Sequence, residues 1–152
     1  MSVTVSDDDQ LWRAIESDLE KLSKSHTKVG FMSGDGRDDN SGLTNAEVAM
    51  FNEFGTSNAP ARPFIRPTIA ENKEKIFDMQ EEGYSRVIQQ KSTVGRELGK
   101  IGAFTQSEIQ KKIREVRTPP NAASTIKRKS PGATPLIDTG AMRQAVSHKE
   151  VL

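Results

Sequence analysis

Apolar side chains recur at helical spacing over most of this 152-residue chain, with only two short stretches that read as strands. Leu11, Trp12, Ile15, Leu19 and Leu22 share one helical face. Ser6 and the carboxylates of Asp7, Asp8 and Asp9 mark the start of that helix, because acids favour the positive end of the helix dipole. Trp12 is expected to anchor the helix in the core. Residues 28–32 (KVGFM) form a strand candidate that runs into a polar stretch, SGDGRDDNSG, expected to be a mobile loop or hairpin tip. Thr44-Asn45-Ala46-Glu47 is a capping box with Leu43 and Val48 in the staple positions, which predicts a helix over 45–54. Val48, Phe51 and Phe54 are placed on its buried face, and Gly55 closes it.

Pro60, Pro63 and Pro67 then punctuate NAPARPFIRP. Proline lacks the N–H that a central strand needs, so this segment is expected to be an extended edge segment or arm, with Pro67 in the first turn of the next helix. In an extended chain Arg62, Phe64 and Arg66 share one face and Ala61, Pro63 and Ile65 the other. Ile69, Lys73, Ile76, Phe77, Gln80, Tyr84, Val87 and Ile88 return to helical spacing. Val94, Leu98, Ile101, Ile109, Ile113 and Val116 continue it to about Arg117, with Lys91-Ser92-Thr93 either a break or read through. Thr118-Pro119-Pro120-Asn121 ends the helix. A loop to Pro135, one helical turn at residues 141–145 and a final strand in VSHKEVL complete the pattern.

Composition sharpens this picture. Hydrophobic residues make up 34% and charged residues 28%, with a mean hydropathy of −0.64, a lean apolar supply for a self-sufficient globule. Such chains often bury surface against neighbouring subunits. The net charge of +1 conceals an asymmetry: residues 1–56 sum to −6 and residues 57–152 to +7. A dipolar chain of this kind can pair head to tail with copies of itself. Without cysteine there are no disulfides or thiolate metal sites, and His26 and His148 are too isolated to suggest a metal centre. No apolar run approaches membrane-spanning length, and the polar N-terminus does not resemble a signal peptide.

Several stretches invite a chemical reading. Asp138-Thr139-Gly140 is the tripeptide of aspartic proteases, but that chemistry needs two carboxylates sharing a proton, and one copy is present. It reads as a turn, with Asp138 or Thr139 capping the short helix and Gly140 permitting the bend. GRELGK has three residues between its glycines rather than the four of a P-loop, with Ile101 in the magnesium-binding position, so it reads as helix surface. The Gly/Asp loop fails both EF-hand registers. Lys111–Lys129 holds seven cations and one acid, enough for contact with phosphates, yet no aromatic is interleaved for base stacking.

Two passages together are distinctive. Residues 46–69, AEVAMFNEFGTSNAPARPFIRPTI, resemble the central motif of the neck and tail-completion (virion-morphogenesis) proteins of tailed bacteriophages. Residues 118–146, TPPNAASTIKRKSPGATPLIDTGAMRQAV, resemble that family's C-terminal motif, in the family's order and spacing. The two cover about a third of the chain. The resemblance implies one α+β domain over residues 1–152, with a small antiparallel sheet, an N-terminal helix, one or two long central helices and the Pro-rich arm. It implies a structural, non-enzymatic virion protein without cofactors or metal. Such a protein assembles in the host cytoplasm into a ring, sixfold by preference, at the head–tail junction. Its partners would be copies of itself, the head-closure or connector ring, and the tail-terminator or tail-tube proteins, with double-stranded DNA passing through and no membrane involved. The residues carried over are Phe54, Gly55, Thr56, Arg62, Pro63 and Phe64, then Leu136, Asp138, Thr139 and Gly140, all in architectural roles. Arg62, Phe64, Ile65 and Arg66 are the subunit-interface candidates, the two arginines facing the acidic N-terminal half of a neighbour. Asp7–Asp9 and Asp35, Asp38 and Asp39 are the carboxylates available to line a DNA channel. The rival expectation is a DNA-binding accessory protein that uses residues 111–129.

Overall fold

The computed structural model describes residues 9–32, 34, 36, 42–129 and 134–152. In chain order the elements are α1 (Asp9–Lys24), β1 (His26–Phe31), α2 (Asn45–Phe54), α3 (Ile65–Glu71), α4 (Lys73–Ile88), α5 (Val94–Glu115), α6 (Ala123–Arg128), α7 (Ala141–Gln144) and β2 (Val146–Val151). The fold is α+β, with the sheet formed by the two chain-distant strands, antiparallel from His26↔Val151 to Phe31↔Val146.

A two-stranded sheet is marginal in water and needs a helix against one face. Here α5 supplies it, and its glycines make the fit possible. Gly95, Gly99 and Gly102 face the sheet. A methyl at Gly102 would stand 2.6 Å from His148 Cδ2 and 2.8 Å from Thr27 Oγ1. One at Gly99 would stand 2.8 Å from Glu150 Oε1, and one at Gly95 3.3 Å from Leu152 Cδ1. The stretch GRELGK is therefore a packing segment, with Glu97 and Leu98 buried, which corrects its reading as helix surface. Two effects compete at Gly102. Alanine gains about 1 kcal/mol of helix propensity, whereas overpacking costs about 1–3 kcal/mol. His148 is held by Gln106 and lies close to Glu150, so it has little room to yield. Gly102→Ala is expected to lower stability by about 1 kcal/mol or more, while Gly95→Ala, meeting only a flexible leucine tip, is neutral or stabilising. Urea melts of the pair check this, and equal behaviour would contradict the packing account.

The main core gathers Ala49, Phe64, Ile109, Ile113, Leu136, Met142 and Val146. Phe31 meets Phe64 edge-on, with centroids 6.4 Å apart. A second cluster of Val87, Val94 and Leu98, with Leu22 of α1 against it, sits where α4 turns into α5. That turn is closed by Glu97, whose buried carboxylate accepts from Arg86 Nη2 at 2.9 Å, Lys100 Nζ at 2.7 Å and Ser92 Oγ at 2.5 Å. The Arg86 hydrogen bond, opposed by burial and aided by Lys100 and Ser92, holds the Glu97 carboxyl at about 2. A depressed folded value means that Glu97 stabilises the fold fully above its ordinary value of 4.5, and that this contribution is lost as pH falls toward 2. Stability should fall across that window, and less steeply in Glu97→Gln. Parallel pH profiles for the two proteins would contradict the assignment.

The predicted elements appear at β1, α2, α5, α7 and β2, with ends shifted by up to two residues. The stretch 91–93 is a true break, with Thr93 capping α5 through Arg96 N–H. The expected helix with Pro67 in its first turn is divided at Asn72 into α3 and α4. The loop expected up to Pro135 contains α6, which has no side-chain cap to announce it. The proposed start at Ser6–Asp8 and most of the Gly/Asp loop lie outside the described residues.

Three burial expectations are corrected. Trp12 is 63% exposed, because α1 meets the body through Leu22 near its C-terminal end rather than through Trp12. Phe51 and Phe54 are exposed, and the buried face of α2 is instead Asn45, Ala49 and Glu53. The turn of that helix is set by the partner Glu53 must reach.

Candidate functional site

The capping box at Thr44 is formed in both directions. Glu47 N–H donates to Thr44 Oγ1, and Thr44 N–H donates to the Glu47 carboxylate. It fixes where α2 starts, and about two turns later Glu53 is buried. Its Oε2 accepts from the N–H groups of Phe64 at 2.7 Å and Ile65 at 2.9 Å. Its Oε1 accepts from Arg66 N–H at 3.1 Å and Arg66 Nε at 3.0 Å. A helix start leaves backbone donors unpaired, so one carboxylate caps all of α3 from another helix. Burial alone would push the Glu53 carboxyl up. The N–H groups of Ile65, Phe64 and Arg66 and the Arg66 guanidinium outweigh it and leave the group below the usual carboxylate range.

Between these helices the chain makes a tight exposed turn. Gly55 takes φ +78° and donates its N–H to Phe51 O. Thr56 Oγ1 accepts from Asn58 and Ala59 N–H, and Thr56 and Ala59 bridge. Asn52 O closes the base by accepting from Arg62 N–H at 2.6 Å. The Pro-rich segment that follows has no helix or strand from Pro60 to Phe64. It does not swing free, however. Phe64 is fully buried in its own core, which corrects its assignment as an outward interface anchor, and Pro63 and Ile65 are half-buried. Arg66 stays at the surface, its guanidinium 5.0 Å from the exposed Phe54 ring centroid.

Arg62 joins the two sequence passages. Its Nε donates to Pro119 O at 2.7 Å and its Nη2 to Pro120 O at 2.8 Å. It is only 8% exposed, so it forms a floor rather than an outstretched arm. Nearby, Lys129 Nζ donates to the carbonyls of Thr134, Pro135 and Ile137, at 3.0–3.1 Å. Burial holds the Lys129 ammonium below the usual lysine range, with Asp138 opposing the shift and Arg62 adding to it. The carbonyl cage sets up the turn after it. Leu136 enters the core, Asp138 is exposed, and Thr139 Oγ1 accepts from Ala141 N–H at 3.3 Å. Gly140 stands at φ +86° as the residue before α7. The N-cap position of α7 is thus Gly140, without a side-chain cap, and Thr139 contributes a hydrogen bond within the turn.

Two adjoining depressions result. One, of about 130 Å³, lies among Asn52, Leu136, Asp138 and Met142; the other, of about 580 Å³, is an open groove between the Asn58–Pro60 turn and residues 120–125. Glu53 and Lys129, the two groups that hold this region together, were missed as functional residues from sequence. A lone acid in a helix and one lysine in a basic run carry no signal until their partners are known. Of the cations in residues 111–129, Lys129 is spent on carbonyls, Lys112 pairs with Glu71 at 2.6 Å, and Lys111 lies 3.5 Å from Glu108. Among the described residues, no group of three or more His, Asp or Glu side chains is placed to hold a metal ion. Compared with family models, with curated proteins and with solved structures, the chain matches none.

Proposed function

We propose that this chain is a structural virion protein that forms a homo-oligomeric ring, sixfold by preference, at the head–tail junction of a tailed bacteriophage. In this role it joins the portal-side connector to the tail and surrounds the DNA channel. The supporting observation is the coupling of the two passages that carry the resemblance. Arg62 of the first donates to the Pro119 and Pro120 carbonyls of the second. Of their other motif residues, Gly55, Thr56, Thr139 and Gly140 serve turns, and Phe64 and Leu136 serve the core.

The surface is in keeping with subunit association. Trp12, Phe54, Phe77, Tyr84 and Ile126 are all exposed on a chain with few apolar residues to spare. No helix among the described residues is long and apolar enough to cross a membrane. Native mass spectrometry of the purified chain, with labelling of intact virions, tests the proposal. A closed ring and a label at the neck are expected. A chain that stays monomeric and binds DNA with steep salt dependence would replace this reading with the DNA-binding one.

A further inference from the structure

We propose that the groove over Arg62 is a receptor for an acidic segment, and that its occupant is the Ser6-Asp7-Asp8-Asp9 stretch of a second copy of this chain, which leads into α1. The proposal rests on the homo-oligomeric reading and names the surfaces that would meet.

Arg62 carries the argument. Two of its nitrogens are tied to the Pro119 and Pro120 carbonyls, which fixes the plane of the guanidinium. The third, Nη1, has no hydrogen-bond partner among the described residues, although the side chain is more than nine-tenths buried. Arg62 also forms no ion pair among those residues; its partners are carbonyl dipoles. A buried guanidinium with no counter-charge is costly, and a carboxylate arriving at a fixed, half-dry donor gains more than it would in water.

The walls suit an extended peptide. Asn58, Asn121 and Thr125 offer side-chain donors and acceptors to a backbone, while Pro60 and Pro120 contribute apolar surface and no competing N–H. Lys129 supplies a second positive charge, and no carboxylate lines the groove among the described residues. The site therefore selects for negative charge on an otherwise neutral, polar track.

The chain itself contains the matching ligand. Asp7-Asp8-Asp9 is its longest run of carboxylates, and it belongs to the half that sums to −6, whereas the groove belongs to the half that sums to +7. Within its own subunit α1 packs on α4 and α5, whereas the groove is walled by the α2–α3 connection, the α5–α6 connection and α6. A segment from one copy entering the groove of the next is a head-to-tail contact, the kind that closes into a ring. Asp7–Asp9 would then be interface residues, leaving Asp35, Asp38 and Asp39 for a channel wall.

Two full-length variants test this. In the first, Asp7→Asn, Asp8→Asn and Asp9→Asn remove the ligand's charge and leave the groove intact. In the second, Thr125→Glu places a carboxylate in the groove and leaves the ligand intact; Thr125 is half-buried on α6, and Arg62 is untouched. Sedimentation of each variant alone should show self-association weakened by about tenfold or more, and weakened in the wild type by added salt. Mixed one to one, the variants retain a single productive contact and should form a heterodimer that grows no further. Assembly of the triple variant at wild-type strength, or a mixture that stays monomeric, overturns the proposal while leaving the oligomer reading in place. Should the wild type itself be monomeric at every concentration, the ring reading fails. A peptide of residues 1–10 titrated into the triple variant then judges the groove alone. Binding that Thr125→Glu abolishes supports an acidic-segment receptor, and no binding overturns it.

Discussion

Glu53→Ala is expected to cost about 3 kcal/mol, a large fraction of the roughly 5–15 kcal/mol that holds a domain of this kind together. The carboxylate accepts from three consecutive backbone N–H groups and from Arg66. Alanine offers them nothing. The Arg66 side chain is mostly exposed and can return to water, so losing the ion pair is a small part of the cost. The Phe64 N–H is buried and cannot, and an orphaned buried donor costs about 1–3 kcal/mol. Ile65 and Arg66 N–H, nearer to solvent, add less each. Glu53→Gln keeps an acceptor oxygen and should lose about half as much. Urea denaturation of both variants measures this, and a loss under about 1 kcal/mol for alanine would show that water replaces the carboxylate.

Gly55→Ala should be nearly as damaging, for a different reason. With φ +78° and ψ 176°, Gly55 occupies a region open in practice only to glycine, where a side chain costs about 1–3 kcal/mol of strain. The added methyl would also stand 2.8 Å from Ala61 N and 3.1 Å from Ala59 O, backbone atoms held in place by the Thr56–Ala59 bridge and the Arg62 N–H bond to Asn52. Relief requires opening the turn. Gly140 provides the control. It also has positive φ, but in the left-handed helical region, with the nearest atom at 3.8 Å, so alanine there should cost only about 1 kcal/mol. Thermal melts that rank the two substitutions the other way would refute the close-contact account.

Both variants bear on the proposed interface. The turn from Gly55 to Ala59 leads directly into one wall of the groove, and Glu53 positions the start of α3 beyond it. Each should weaken self-association beyond what its loss of stability explains, through displacement of Asn58 and Arg62.

Local signals in the chain were strong wherever one residue type has one structural use. The capping box, the glycine at position 55 and the apolar spacing of Val94, Leu98, Ile101, Ile109 and Ile113 each bias a few neighbouring dihedrals, and α2 and α5 formed where they pointed. The two strands were legible as segments, and the Asp-Thr-Gly turn as a turn. By itself, then, the sequence determined where α2, α5 and the two strands lie and the charge asymmetry, because these depend on side-chain periodicity and on contacts within one or two turns. It left α6 and the division at Asn72 unmarked, and the α+β class came with the family resemblance.

Only the tertiary structure decided what those elements face. Phe51 and Phe54 satisfy the apolar spacing of α2 as well as Ala49 does, yet Ala49 is inside, because a buried carboxylate at Glu53 gains four hydrogen bonds in that orientation. Trp12 satisfies the spacing of α1 and is outside, because among the described residues the helix joins a core cluster through Leu22, near its other end. The glycines of α5 became a sheet-packing surface only when a strand from the end of the chain lay across them. Arg62 became the floor of a groove only through carbonyls 57 and 58 residues away. Contacts at that separation depend on how elements dock, and periodicity along the chain carries no record of the partner.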